Sequence, residues 1–295
     1  MNREQEHKES NADQKDLSPE LFPRMKIAWE KSKDEIWEEL STHLEEEPSP
    51  KTETRYMLPN RQWIALAASV AILLAVAGFM RLYTEKTVCD AGEHCSIQLP
   101  DGSMVELNAS TIISYHPYWW RFSRELNLDG EAFFKVMEGK QFHVVSTRAT
   151  TEVLGTTFNV YARDNRYNVT CQSGLVRITS SLTTEMITLS PNERAVLNQS
   201  GLFNISRSET ELSAPGWINN HLMFTSEPLR EVFDEIERQY GVIIETPGDL
   251  HHIYSGNFSI DGSVENVISL ICRPFDLVYE QKSNTKYLIH PPQTD

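Results

Sequence analysis

The sequence has no cysteine before residue 89, no cluster of lysines and arginines, and only one apolar run long enough to cross a bilayer. On a chain of net charge −15, the missing basic face excludes the concentrated positive surface that phosphate neutralisation requires, so direct nucleic-acid binding is not expected. CxxC, HExxH, GxSxG and a glycine-rich phosphate loop are missing too, which removes the common signatures of metal, nucleophile and nucleotide chemistry. No metal or cofactor is implied, and the balance is against an enzyme. The adjacent pair His251-His252 would point to opposite faces of a strand, and Asp101 and Glu131 each read as turn carboxylates rather than as a catalytic couple.

What is present is organised around Trp63–Met80, WIALAASVAILLAVAGFM, which carries neither charge nor proline and is bracketed by Arg61 and Arg81. As a helix rising about 1.5 Å per residue it reaches roughly 27 Å, close to the hydrocarbon thickness of a bilayer. Only Ser69 interrupts its apolar circumference, whereas a core helix of this length keeps a polar face. A single transmembrane helix over 63–81 is therefore expected, and the long polar stretch ahead of it argues against a cleaved signal peptide. Flanking charge is nearly balanced, with Lys51, Arg55 and Arg61 before the helix and Arg81 and Lys86 after it. Cysteine usage says more, because Cys89, Cys95, Cys171 and Cys272 all follow the helix, as expected if that part lies in an oxidising compartment. Of the three pairings that four cysteines allow, Cys89–Cys95 with Cys171–Cys272 is the most economical; free buried thiols are the other reading.

Before the span, the first twenty residues are too polar to bury a core and read as a disordered tail. Met25, Trp29, Ile36, Leu40 and Leu44 then recur at helical spacing, with Trp37 beside them and Lys and Glu filling the other face. This is one amphipathic helix, or two short ones, ended by Pro48 and Pro50. An isolated helix of this size is marginal in water, so its apolar stripe is expected to bind a partner, and its acidic polar face favours a protein over a membrane surface.

After the span the periodicity changes to two. Ser103–Asn108, Glu125–Asp129, Phe142–Val145 and Leu175–Ile178 alternate apolar and polar residues, which predicts a nearly all-β domain over 85–208, either a sandwich or a wound solenoid. Leu99-Pro100-Asp101-Gly102-Ser103 is a chain reversal, Gly130-Glu131-Ala132-Phe133-Phe134 places a small-residue turn ahead of an aromatic strand, and Val153–Val160 places Gly155 as a break between two strands. Residues 215–292 contain a repeat: Leu229, Val232, Phe233, Ile236, Tyr240, Val242 and Ile244 recur thirty-five positions later as Val264, Val267, Ile268, Ile271, Phe275, Leu277 and Tyr279. Each copy reads as strand, helix, strand, giving a small α+β domain whose two helices cover one face of a sheet. The sheet edge is expected either to accept a partner strand or to be blunted by the terminal HPPQTD.

The string LPDGSMVELNAS, LDGEAFFKV, FHVVSTRATTEVLGTTFNVYA, GLVRI and LSPNERA, in this order after one apolar helix, resembles the FecR family of transmembrane sigma-factor regulators over roughly residues 85–205. Leu99, Pro100, Asp101, Gly102, Gly130, Glu131, Phe133, Phe158 and Asn159 carry the motif. The resemblance implies a multi-domain, single-pass inner-membrane anti-sigma factor, with residues 1–62 cytoplasmic and the β and α+β domains periplasmic. Met25, Trp29, Ile36, Trp37, Leu40 and Leu44 would hold an extracytoplasmic-function sigma factor. The periplasmic domains would receive a signal from the signalling domain of a TonB-dependent outer-membrane transporter, with envelope proteases as a means of release. The doubled C-terminal unit is similar to the short domain of secretins and TonB-dependent transducers. Some similar regulators nick themselves at a Gly-Thr bond, which here would be Gly155-Thr156, the Thr hydroxyl attacking the Gly carbonyl. Many such regulators begin with a longer helical domain than this chain offers. Two other readings stand beside this one. A type II surface receptor or adhesin would use the sequons at Asn108, Asn168, Asn198, Asn204 and Asn257. An envelope carbohydrate-processing enzyme would need a carboxylate pair such as Asp101 and Glu131.

Overall fold

The computed structural model describes residues 30–44, 60–209, 214–246, 248 and 250–292. The chain divides into two units, residues 1–61 and 62–295. In the first, α1 (Lys33–Leu44) starts where Ser32 and Glu35 cap one another: the Glu35 N–H donates to Ser32 Oγ at 3.3 Å and the Ser32 N–H to Glu35 Oε2 at 3.0 Å. Those bonds occupy donors that a helix start leaves open. The expected amphipathic helix is thus present from residue 33, while Met25 and Trp29 lie outside the described residues.

All of α2 (Arg61–Leu82) but its first residue belongs to the second unit; it is an apolar helix of 22 residues with none buried, long and apolar enough to cross a membrane. Its one polar interruption is satisfied locally, since the Ser69 hydroxyl donates to the Leu66 carbonyl at 2.8 Å.

Thirteen strands come next: β1 (Glu85–Cys89), β2 (Cys95–Gln98), β3 (Met104–Leu107), β4 (Thr111–Tyr115), β5 (Arg124–Lys135), β6 (Phe142–Val145), β7 (Ala149–Val153), β8 (Thr157–Arg163), β9 (Arg166–Ser173), β10 (Val176–Ser180), β11 (Met186–Leu189), β12 (Glu193–Leu197) and β13 (Phe203–Arg207). One sheet has the order β1-β4-β5-β6-β7-β10-β11 and the other β2-β3-β5-β8-β9-β12-β13, with β5 common to both. Inward residues of both sheets, among them Ile113, Leu126 and Val144 from one and Val105, Phe134, Phe158 and Val169 from the other, form a single core. Of the two all-β architectures compatible with the sequence, the pairing is that of a sandwich. A solenoid stacks its strands in parallel, and here only β5 with β6 is parallel.

Gly130 is not the turn that its small size suggested. It lies inside the unbroken twelve-residue β5, where the first half pairs with β4 and β6 and the second with β3 and β8. At φ 135°, a Cβ here would lie 2.5 Å from Thr111 Oγ1 and 2.7 Å from Thr111 Cα. Only glycine lets the strand change sheets while β4 stays in contact with it. The Asp101-Gly102 reversal is the β2–β3 turn as expected. Its aspartate accepts from the Ser103 N–H at 3.0 Å and from Arg124 Nε at 2.6 Å, tying the turn to the first residue of β5. Burial opposes ionisation of Asp101, but the Ser103 and Arg124 donors outweigh it and hold the carboxyl below its ordinary value.

The C-terminal region consists of a 3-10 turn (Gly216–Asn219), β14 (His221–Pro228), α3 (Leu229–Tyr240), β15 (Ile243–Glu245), β16 (Ile253–Ser259), α4 (Val264–Cys272), β17 (Val278–Ser283) and β18 (Lys286–His290). The two helices, and the strands after them, start thirty-five residues apart, as the repeat requires. Gly241, in the left-handed region at φ 64°, stops α3 by capping it. One correction applies. The helices cover not one sheet but two, β14-β16 and β15-β18-β17. β18 inserts between the repeat-equivalent strands β15 and β17, and residues 293–295 of the terminal HPPQTD lie outside the described residues.

Cys89 and Cys95 are bonded, while Cys171 and Cys272 are free and buried. The expected Cys171–Cys272 bond is absent because Cys171 belongs to the sandwich core and Cys272 to the separate C-terminal core. Burial pushes these thiols up, to about 11 and about 12 respectively, so both stay protonated and inert.

Gly130→Ala is predicted to cost about 3 kcal/mol or more, combining backbone strain with overpacking. Gly78→Ala, where nothing lies within 4 Å, serves as the neutral control. An unchanged thermal midpoint for Gly130→Ala would contradict the role assigned to this corner.

Candidate functional site

The corner at Gly130 turns the next residues of β5 outward in alternation. Ala132 and Phe134 face the sandwich core, whereas Glu131 and Phe133 face the C-terminal region, whose core includes Phe133. The register sets Tyr161 of β8 beside Glu131 and Asn159 beside Phe133. α3 lies over this outer face.

A polar network closes the seam. Asn108 Nδ2 donates to Glu131 Oε2 and Asn159 Nδ2 to Glu131 Oε1, each at 2.8 Å. Gln239 on α3 donates through Nε2 to Asn108 Oδ1 at 2.7 Å and to Glu235 Oε1 at 2.8 Å. Arg238 grips Glu235 Oε2 through Nε at 3.0 Å and through its terminal nitrogen at 2.8 Å. Arg163 binds the corner preceding β4, donating to the carbonyls of Ser110 and Ala109, each at 2.6 Å. Arg166 pairs with Glu231 of α3 and donates to the Tyr161 hydroxyl at 2.9 Å.

The loop closed by Cys89–Cys95 also holds the C-terminal end of α3. The Gly92 N–H donates to the Arg238 carbonyl at 2.8 Å, His94 Nε2 lies 3.0 Å from Gln239 Oε1, and the His94 ring meets Trp217 edge-on at 5.3 Å. A disulfide beside these contacts limits how far the loop can open when unbound.

Between the outer face and the C-terminal region runs a cleft of 1170 Å³, with Tyr161, Arg166 and Arg194 on one wall and Trp217, Phe224, Glu231 and Phe258 on the other. Aromatic faces beside charged groups of both signs suit a polypeptide segment better than a small ion.

Removal from water is the larger cause, and the Glu235 carboxylate the second, that hold the Glu131 carboxyl above its ordinary value, against the donors Asn159 and Asn108. Glu131 is thus coupled to Glu235, and Glu227 to Glu231. Asp101, the expected counterpart of Glu131, pairs with Arg124 instead. The expectation of Glu131 as a turn residue is corrected with that of Gly130, since both lie within β5.

The other predicted positions fall in three places. Leu99 and Phe158 are core residues, with Phe158 stacked on Phe134 at 5.0 Å, and Pro100 and Gly102 shape the β2–β3 turn. On α1, Trp37 and Leu40 are 60% and 50% exposed and Ile36 is half-buried, so an apolar stripe faces outward; Leu44 is the last residue of the helix. Gly155 and Thr156 form the connection from β7 to β8. A Cβ on Gly155 would lie 2.7 Å from Glu138 Cα, and the buried Thr156 hydroxyl donates to the Leu175 carbonyl at 3.2 Å. Of the sequons, Asn108 is fully buried in the seam. His252, half of the adjacent pair, stacks on Phe275 at 4.6 Å. Gln239, His94, Arg124 and Trp217 were missed, because each gains its role only from a partner distant in the chain.

The family model described as FecR protein matches residues 85–177, and one described as FecR, C-terminal, matches residues 221–289. The fold is similar to two crystal structures of candidate anti-sigma factors from Parabacteroides distasonis ATCC 8503. One, at 2.50 Å resolution, is 28% identical, covers 72% of this chain and all of its own, and has a TM-score of 0.64. The other, at 1.65 Å, is 26% identical, covers 71% of this chain and all of its own, with the same TM-score of 0.64. No curated protein matches the chain.

An acid whose folded pKa is raised contributes stability that is complete below its unfolded pKa and is lost as pH rises through the folded one. Glu131→Gln is therefore predicted to unfold at a higher temperature than the parent at neutral pH, the difference shrinking as the pH approaches the ordinary carboxylate range. Asn159 Oδ1, buried without a partner, can accept from the new amide after a flip of the Asn159 side chain. A lower midpoint for Glu131→Gln at neutral pH would overturn this reading of the seam.

Proposed function

Because this chain belongs to the FecR family of anti-sigma regulators, we propose that it is a single-pass inner-membrane transducer that holds an extracytoplasmic-function sigma factor through α1. The observation that carries this reading is the order along one chain: a short helix with exposed Trp37 and Leu40, an apolar helix of 22 residues, then the two matched domains. An amphipathic helix whose apolar residues are exposed among the described residues suits a groove, its apolar positions acting as anchors. Sigma factors work in the cytoplasm, which puts residues 1–62 there and the remaining domains in the periplasm. The Cys89–Cys95 bond supports the same orientation, since disulfides persist in that compartment.

In the periplasm the C-terminal region receives the signal from a TonB-dependent outer-membrane transporter. β14 and β16 form a two-stranded sheet, so among the described residues each keeps an unpaired edge, and edge addition gives a transporter domain a route to bind. A lone span transmits small shifts poorly because it lacks a packed two-state neighbour. Release by envelope proteases, after the transporter loosens the seam at Glu131, is the easier switch. In this reading Gly155-Thr156 serves as a packed turn; intact mass spectrometry finding a fragment that begins at Thr156 would instead make it a cleavage site.

Co-purification tests the effector arm. Full-length protein is predicted to retain its cognate sigma factor, and Trp37→Ala with Leu40→Ala to lose it, at least tenfold in affinity, as for two anchors of a buried interface each worth about 1 kcal/mol or more. Both residues are exposed, so the unfolding of the remaining domains should not change. Undiminished retention by the double variant would place the sigma contact elsewhere.

A further inference from the structure

The segment from His116 to Ser123, HPYWWRFS, joins β4 to β5 and divides its aromatic side chains between inside and outside. Trp120 is buried, edge-on to Tyr115 at 5.4 Å and to Phe142 at 5.7 Å. Tyr118 and Phe122 point away from the core, 50% and 66% exposed, and Trp119 packs against Phe122 with ring centres 4.6 Å apart. Backbone bonds fix this shape, because the N–H groups of Phe122 and Ser123 both donate to the Trp119 carbonyl, at 2.9 and 3.2 Å. Neighbouring large aromatics held rigidly in the open mark an interaction surface.

That surface lies against the end of α2. The Tyr118 ring is 6.0 Å from Phe79 and 5.3 Å from Tyr83. The Arg81 guanidinium sits over the Trp119 ring at 5.5 Å. His116 Nδ1 lies 2.9 Å from the Tyr83 carbonyl and 3.2 Å from the Thr84 hydroxyl. Only Tyr83 and Thr84 separate α2 from β1, so the sandwich has little slack with which to move away. A helix that has crossed the hydrocarbon by Leu82 sets these groups at headgroup depth. There Trp and Tyr keep their apolar bodies in and their polar tips wet, and Arg81 and Arg121 meet anionic phosphates.

We propose that the 116–123 turn is a membrane-interface anchor: Tyr118, Trp119 and Phe122 insert among phospholipid headgroups beside the exit of α2 and fix the β-sandwich on the bilayer. This rests on the reading that α2 spans the membrane. Two attachments, the helix and the turn, then set the tilt of the sandwich, which a single flexible link does not.

The test uses full-length protein in vesicles of phosphatidylethanolamine and phosphatidylglycerol, with and without lipids brominated high on the acyl chain, next to the headgroup. Tryptophan emission is compared for the parent, Trp119→Phe and Trp63→Phe, so that difference spectra isolate Trp119 and, as reporter of the span, Trp63 within α2. Trp119→Phe keeps a ring in place and leaves the core residue Trp120 intact. The expected result is loss of most of the Trp119 emission in brominated vesicles, with Trp63 quenched as well. Quenching of Trp63 with undiminished Trp119 emission would overturn the anchor while leaving the span; absence of quenching at both would overturn the span and the anchor together.

Discussion

A strand that belongs to two sheets has to change direction without giving up its hydrogen bonds, and β5 does so at Gly130 against Thr111. The same corner aims the residues that come after it. With the backbone turned there, Thr111 Oγ1 exchanges hydrogen bonds with the Glu131 main chain, donating to the carbonyl and accepting from the N–H, both at 3.1 Å. Glu131 and Phe133 are then delivered to the outer face while Ala132 and Phe134 fill the core. A local requirement for a residue without a side chain thus becomes the placement of the carboxylate that the C-terminal domain reads.

The seam is built from parts of different stiffness. Trp217, Phe133 and the buried face of α3 supply apolar contact, which is non-directional and tolerant of small shifts. The Glu131–Asn108–Gln239–Glu235 chain is directional and partly withdrawn from water, so it specifies one docking geometry and is costly to leave half-made. The Glu235 carboxylate beside Glu131 opposes ionisation of Glu131 within that chain. The disulfide-closed loop at Gly92 and His94 confines the same helix from its C-terminal end. In the proposed reading, a ligand that enters the cleft or adds to a nearby strand acts on contacts that join the domains, without having to unfold either one.

Much of this architecture was legible in the sequence. Trp63–Met80 announced α2 through its lack of charge, the thirty-five-residue repeat announced α3 and α4, which start thirty-five residues apart, and Asp101-Gly102 marked its turn. Period-two patterning identified the β domain but not its pairing, because alternation says which side chains face inward and nothing about which strands are neighbours. Gly130 was read as a turn since a glycine between two alternating runs looks the same whether the strand ends or bends. Arg124 and Gln239 were invisible for a related reason: their partners Asp101 and Asn108 lie 23 and 131 residues away, and no local spacing encodes them. Pairing Cys171 with Cys272 failed because counting cysteines ignores that each is enclosed in a different core.

The central claim is that the sandwich and the C-terminal domain are held as one body by the seam at Glu131. Calorimetric unfolding of the protein tests it most directly. A single transition, with calorimetric and van't Hoff enthalpies that agree, is the result this account predicts for the two domains. Two separate transitions, or one whose van't Hoff enthalpy is well below the calorimetric value, would show that they unfold independently and would contradict it.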